Sequence, residues 1–335
     1  MNTDPVRIAG IGLVCAAGTG LGSAHAALIS GDFMISRHPG WFNRDYERQV
    51  CSWVEAPGPA CALAPRLAAL AGAAQDDLLR MTGASDALAD RVALLLPLQN
   101  DADGDAAALA AAAQQIAAQL RFGPGTVTVH PGGSAHLAVV IATLLADPGW
   151  QSAVVIAADC LLPSARLAAL DRGQRLFSDR NPWGSIPSEA GVAIWLRRGA
   201  PAFLPALPAA AWSEEPVGPE DHGAPLFRGM SDALSGGLDA LGSQARLDDI
   251  WGDCGNGRYH ASEQAHAVIR AGTALPAGAP LVNPCRALGD CGAAGMAVAL
   301  ALSLADPAAG PVTAVLGTGN HAGPRGALII ARPPR

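Results

Sequence analysis

The chain has 335 residues, of which 50% are hydrophobic and 15% charged, with a formal net charge of -7. That length suits one large α/β domain or two similar halves with a substantial core. No apolar run reaches the roughly 18 to 20 residues that a membrane helix needs, and the acidic balance lacks the basic footprint of a nucleic-acid binder.

Val6 to Val14 reads as a buried strand, and Gly18 to Leu28 as a turn running into a small-residue helix. The opening MNTDPVRIAGIG has no basic region ahead of a signal-peptide core, so a cytoplasmic protein is expected. Residues 31 to 60 look irregular and carry Trp41, Phe42, Tyr46 and Trp53, as a loop excursion or part of an interface would. Helices are expected over Ala62 to Ala71, Ala74 to Arg80 and Asp103 to Leu120, with a strand at Arg91 to Leu98. Then comes TVTVHPGGSAHLAVVIATLLA, residues 126 to 146, where an apolar run stops at Pro131-Gly132-Gly133-Ser134 and restarts as a helix. It reads as strand, tight elbow and buried helix, with Pro131 suited to a first helical position. Such an elbow can hold a nucleophile at a helix N-terminus, where the dipole favours an anion.

Farther on, Ala153 to Ala158 reads as strand, Pro163 to Leu170 as short helix and Gly191 to Leu196 as strand, with a polar loop through Asn181 between the last two. Residues 199 to 219 turn rich in Pro and Ala, marking a crossover. The same grammar then repeats: helices at Ser231 to Leu241, Ser262 to Arg270 and Gly292 to Ala305, and strands at Leu247 to Gly252, Val312 to Leu316 and Ala327 to Ala331. Two halves of alternating strand and helix, 1–198 and 199–335, imply mostly parallel sheets covered by helices.

The seven cysteines are Cys15, Cys51, Cys61, Cys160, Cys254, Cys285 and Cys291; their odd number and lack of CxxC spacing fit free thiols in a reducing compartment. A zinc set of Cys254, His260, Cys285 and Cys291 matches no common ligand spacing, so no metal is expected.

Over nearly its whole length the chain resembles the β-ketoacyl synthase branch of the thiolase-like superfamily. VRIAGIGLVCAAGTGLGSAHAALISGD resembles that family's opening strand, glycine turn and first helix; the elbow with Ala153 to Asp159 resembles its nucleophile segment and following strand. GSIPSEAGVAIWL (184 to 196) resembles its G-E-G-A-G-V-L-V-L stretch, with Glu189 on the carboxylate. Asp253-Cys254-Gly255-Asn256-Gly257 resembles its A-H-G-T-G segment, CRALGDCGAAG (285 to 295) its K-x-x-x-G-H-x-x-x-A-A-G segment, and GTGNHA (317 to 322) its C-terminal glycine turn. The matches fall in the family's order. They imply a thiolase-like layered αβαβα fold from two pseudo-repeated halves, and a dimer whose sheets meet beside the elbow.

The same comparison removes the chemistry. The family's nucleophilic cysteine falls on Pro131, its first histidine on Cys254, its second on Asp290, and its lysine on Cys285 or Arg286. In the family the nucleophile's backbone N–H also helps bind the oxyanion, and proline has none. Losing one such donor alone costs on the order of 100- to 1,000-fold in rate.

Residual candidates are Ser134 with His130 as its base, since His136 would lie about 200° round a helix from Ser134. Cys254, His260, Cys285, Asp290 and Cys291 should converge near the elbow, where a thiol beside a histidine can be nucleophilic, although buried cysteine more commonly behaves as a small hydrophobe. Gly317 and Gly319 read as tight turns with an oxyanion-type alternative, and Asp290 beside Arg286 as an ion pair. Arg172, Arg175 and Arg180 with Asp171 and Asp179 read as a solvated loop or a patch for acidic groups.

The expected function is therefore that of a catalytically inactive synthase-like protein acting through contact, as a homodimer, as a heterodimer with an active subunit, or as a scaffold. No cofactor, nucleic acid or membrane is implied; an acyl carrier protein is a further partner that the resemblance suggests. The alternative is a divergent acyltransferase or acyl-thioester-binding enzyme using Cys254, Cys291 or Ser134.

Overall fold

The computed structural model describes residues 4–55, 62–84, 89–98, 106–123, 125–221, 223–242, 245–276, 278–319 and 321–333. Cys61 and residues 103–105 of the helix expected over Asp103 to Leu120 lie outside them. In the first half β1 (Val6–Cys15) and β2 (Gly18–Thr19) lead to α1 (Leu21–Ser30), then β3 (Ser36–Phe42) and β4 (Arg48–Cys51). After these come α2 (Leu63–Thr82), β5 (Arg91–Leu96), α3 (Ala106–Ala118), β6 (Thr126–Pro131), α4 (His136–Ala146), β7 (Ser152–Cys160), α5 (Ser164–Arg172) and β8 (Glu189–Arg198). The second half runs β9 (Ala206–Glu215), α6 (Arg228–Asp239), β10 (Asp249–Gly252), α7 (Arg258–Ala271), β11 (Leu281–Val282), α8 (Cys285–Leu288), α9 (Gly295–Ala305), β12 (Val312–Gly317) and β13 (Gly323–Ala331).

The two halves repeat one strand order. Spatially the first reads β6-β5-β7-β8-β1 and the second β11-β10-β12-β13-β9, so in each the third, second and fourth strands lie together, followed by the fifth and first. They join where Arg7 of β1 pairs with Ala206 of β9. The sheets are mixed rather than mostly parallel: β5 runs parallel to β6 and β7, and β10 to β11 and β12, while β8 and β13 run antiparallel to both neighbours. A buried apolar run carries no strand direction, which is why the repeat was readable and the polarity was not.

Five layers result. Helices α2 and α3 pack on the outer face of the first sheet. Helix α6 packs on the outer face of the second, with α7 against it. Between the sheets lie α4, against β9 and β13, and α9, against β8, β10 and β12. All of α9 but Leu304 and Ala305 is buried, as expected of a helix small on every face. Gly12 shows why the opening strand needs glycine: a Cβ there would lie 2.0 Å from the Ala74 carbonyl oxygen of α2.

Other readings change in detail. Residues 36–42 and 48–51 form a hairpin rather than an irregular loop, α2 runs unbroken through Gly72, and the Pro/Ala-rich crossover contains strand β9. Alanines at 206, 209, 210 and 211 pair with β13, so tertiary packing overrides their weak strand propensity.

Candidate functional site

Pro131 does not open the helix. It is the last residue of β6, paired with Leu96 of β5, and exposed; the Gly132 N–H continues the ladder to the Leu96 carbonyl at 2.8 Å. Residues 132–135 form the elbow, and α4 begins at His136. Two close approaches shape it. A Cβ on Gly132 would meet the His136 ring at 2.2 Å, and one on Gly317 would meet Met296 Sδ at 2.6 Å and Ala135 Cα at 2.9 Å. Gly317 thus lets the end of β12 abut the start of α4.

Beside the elbow lies a cavity of about 320 Å³. Gly133 to His136 form one wall, the loop from Gly255 into α7 another, and Thr318, Gly319 and residues 321–325 a third. Ser134 is buried, and both sides of its hydroxyl are engaged: it accepts the Met296 N–H at 2.6 Å and donates to the Asp253 carboxylate. Asp253 also accepts the Thr318 N–H at 3.0 and 3.1 Å on its two oxygens. Burial pushes its carboxyl above the usual range, and Ser134, Thr318 and the neighbouring His260 pull it back. His260 donates from Nε2 to the Gly319 carbonyl at 3.0 Å, and burial lowers its pKa. Asp290 accepts from the Ser185 hydroxyl at 2.8 Å and from the Gly292 N–H at 2.9 Å, whereas Arg286 is exposed; the expected Arg286–Asp290 pair does not form.

Ser134, His260, Asp290 and Gly319 meet at the cavity, while Pro131, His130, Cys254, Cys285, Cys291 and Gly317 are not among its lining residues. His130 sits on the sheet edge with Nε2 2.9 Å from Thr128 Oγ1. His136, expected to face away, lines the cavity and accepts the Gly133 N–H on Nδ1 at 3.1 Å. The helical angle does not apply across 132–135, because those residues precede the helix.

The thiols of Cys254, Cys285 and Cys291 are buried. Burial is the first cause that pushes Cys254 up to about 12 and the other two well above the ordinary value. Cys285 donates to the Asp253 carbonyl at 3.0 Å. All six described cysteines are free and buried, and among the described residues no group of three or more His, Cys, Asp or Glu could hold a metal ion. Glu189 is a buried structural carboxylate, accepting from Arg66 Nε at 2.6 Å and the Val54 N–H at 2.8 Å. In the arginine-rich loop, Arg180 pairs with Asp45 at 3.1 Å and Arg175 lines the cavity.

Sequence reading missed Asp253 as the hub, although it stands beside Cys254 in the matched segment. It also missed the buried group behind the glycine turn, where Arg325 donates to Glu263 at 2.6 Å and to the carbonyls of His321, Gly323 and Pro324, each at 3.2 Å. A lone Arg in the apolar run of β13 was the available signal.

No protein-family model matches the sequence, and no curated protein matches it. Solved structures do. The ishigamide ketosynthase/chain length factor superposes with TM-score 0.77 at 15% identity, covering 99% of this chain and 100% of that one. A type II polyketide ketosynthase in complex with its acyl-carrier protein gives 0.78 at 15% identity, covering 98% and 100%. The 3-oxoacyl-(acyl carrier protein) synthase III of Pseudomonas aeruginosa gives 0.60 at 18% identity, covering 98% and 99%. The chain therefore has the thiolase-like ketosynthase fold. Among the described residues no helix is long and apolar enough to cross a membrane.

Proposed function

We propose that this chain is a catalytically inactive ketosynthase-like protein that acts through protein contact, as the partner subunit of a synthase or as a scaffold. The observation that carries this reading is Pro131: where the family places its nucleophile, this chain has no thiol, no N–H and no side chain on the cavity. The groups that replace the family's histidines support it, since Cys254 is a buried, protonated thiol off the cavity and Asp290 is a hydrogen-bonded carboxylate. The pairing of ketosynthase with chain length factor in a structural neighbour supports a heterodimer, and a carrier protein would then be served by the active subunit.

Strand β6 is the candidate contact. It is the outermost strand of its sheet, five of its six residues are exposed, and Val127 and Val129 are 38% and 49% exposed. An unpaired edge of this kind invites another strand. Residues 1–198 and 199–335 serve as the two halves, and the free thiols fit a cytoplasmic setting.

The open cavity is the observation that favours the alternative, acyl binding or transfer at a non-family nucleophile. Incubation with acyl-CoA and acyl carrier protein, followed by intact and peptide mass measurement, separates the two. The partner reading expects no acylated residue; turnover-dependent acylation of Ser134, Cys254 or Cys291, lost in the alanine variant, contradicts it.

A further inference from the structure

At the corner where α6, α7, β9 and β13 meet, two carboxylates share one guanidinium. Arg325 and Glu263 are 0% exposed and Glu215 is 1% exposed. Arg325 of β13 pairs with Ser213 of β9, so Glu215, two residues on, is its diagonal neighbour on the same face of the sheet. Glu263 of α7 accepts from Arg325 Nε at 2.6 Å on Oε1, and Glu215 accepts the Gly229 N–H at 2.9 Å on Oε2. Each carboxylate leaves its second oxygen, Glu263 Oε2 and Glu215 Oε1, buried without a hydrogen-bond partner. Two negative charges against one positive in a dry corner leave one uncompensated, at high cost. One proton removes it.

The neighbouring groups do not supply the balance. From the segment after β10, Asp253 adds negative character, and the Cys254 thiol is pushed up to about 12 by burial. Tyr259 of α7 hydrogen-bonds Arg325 and keeps its proton, burial pushing it up to about 12. His260 is turned to the Gly319 carbonyl and burial lowers its pKa, while Arg228 and Asp232 of α6 are exposed. The same corner fastens three chain segments. Glu215 holds the first turn of α6, Arg325 Nη1 holds the carbonyls of His321, Gly323 and Pro324, and Tyr259 donates to the Val217 carbonyl at the start of α7. Phe227, whose ring lies 5.1 Å from that of Tyr259, sits at φ 50°, which a bulky residue adopts where its surroundings impose it.

We propose that Glu215, Glu263 and Arg325 form a one-proton switch: the corner is fixed while the proton is bound, and its loss loosens the starts of α6, α7 and β13 together. The proposal goes beyond the partner reading and does not depend on it. Glu263 holds the proton, since burial, Glu215 and Asp253 raise its carboxyl from 4.5 to about 7 against the pull of Arg325. The folded value lies above the unfolded one, so the stabilisation is full below about pH 4.5 and is lost as pH rises through about 7. Because Tyr259, His260 and residues 321–325 line the cavity, this proton sets how firmly that wall is held.

Hydrogen–deuterium exchange of the full chain at pH 6 and pH 8, corrected for the intrinsic pH dependence of amide exchange, tests this. Peptides spanning 228–234, 258–264 and 323–327 should open about tenfold more at pH 8, the factor for a carboxyl that titrates near 4.5 when the corner is open and near 7 when it is closed. Peptides of α3, in the outer layer of the first half, should not change. Glu263→Gln and, separately, Glu215→Gln should remove the difference, because either leaves one carboxylate to balance Arg325. Equal exchange at the two pH values, an equal change in α3, or the full difference in whichever variant folds would overturn the proposal. The measurement runs on the isolated chain, so none of its outcomes bears on the partner reading.

Discussion

Ser134 is the residue whose surroundings say most about what the elbow now does. Its hydroxyl ties the start of α4 to Met296 at the start of α9 and to Asp253 of the second half, so it works as a joint between halves. Ser134→Ala leaves a buried N–H and a buried carboxylate each short of one partner, and should lower unfolding free energy by about 1–3 kcal/mol in urea titrations. A neutral substitution would show that the joint carries no load. Glu263 makes a pH-dependent prediction. Burial raises its carboxyl from 4.5 to about 7 despite the Arg325 pair, with Glu215 and Asp253 raising it further. The folded state therefore holds this proton more tightly than the unfolded chain. The contribution to stability is full below about pH 4.5 and is lost as pH rises through about 7, amounting to at most about 3 kcal/mol. Denaturation at pH 5 and pH 8 should show the chain weaker at pH 8, and Glu263→Gln should flatten the difference; an unchanged slope in the variant would contradict the assignment.

At the scale of elements, β6 is the outermost strand of its sheet and the elbow after it borders the cavity. Under the proposed contact, Val127→Lys with Val129→Lys should abolish the dimer with the partner chain in sedimentation while leaving this chain's own melting temperature nearly unchanged, because both side chains are already exposed. Persistence of the dimer would move the interface elsewhere. The strands and helices were legible because their apolar runs and glycines are local signals: β1, β5, β7 and β12 fall within a few residues of where the sequence puts them. The elbow was legible as a break but not as a geometry. Pro131 suits either a strand end or a first helical turn, and only pairing with Leu96 decides for the strand. Once that is decided, His130 goes to the edge and His136 to the cavity lining. Asp253 and Thr318 were not legible as site residues because contacts across the two halves, Ser134 to Asp253 and the Ala135 N–H to the Thr318 carbonyl, bring them to the elbow, and no local spacing encodes those contacts.

For the whole molecule, two halves of identical strand order enclose α4 and α9, and the cavity opens where the elbow of the first half meets the loops of the second. Four pairs of groups at the cavity are committed to one another: Ser134 to Asp253, Asp253 to Thr318, His260 to Gly319 and Asp290 to Ser185. At the outer end of the sheet, β6 leaves an exposed edge. The most direct measurement is native mass spectrometry of the chain purified, untreated with cross-linker, from the cell that makes it. The account predicts a one-to-one complex with a second ketosynthase-fold chain that carries the cysteine and both histidines missing here. A lone homodimer that turns over acyl thioester on its own would contradict it.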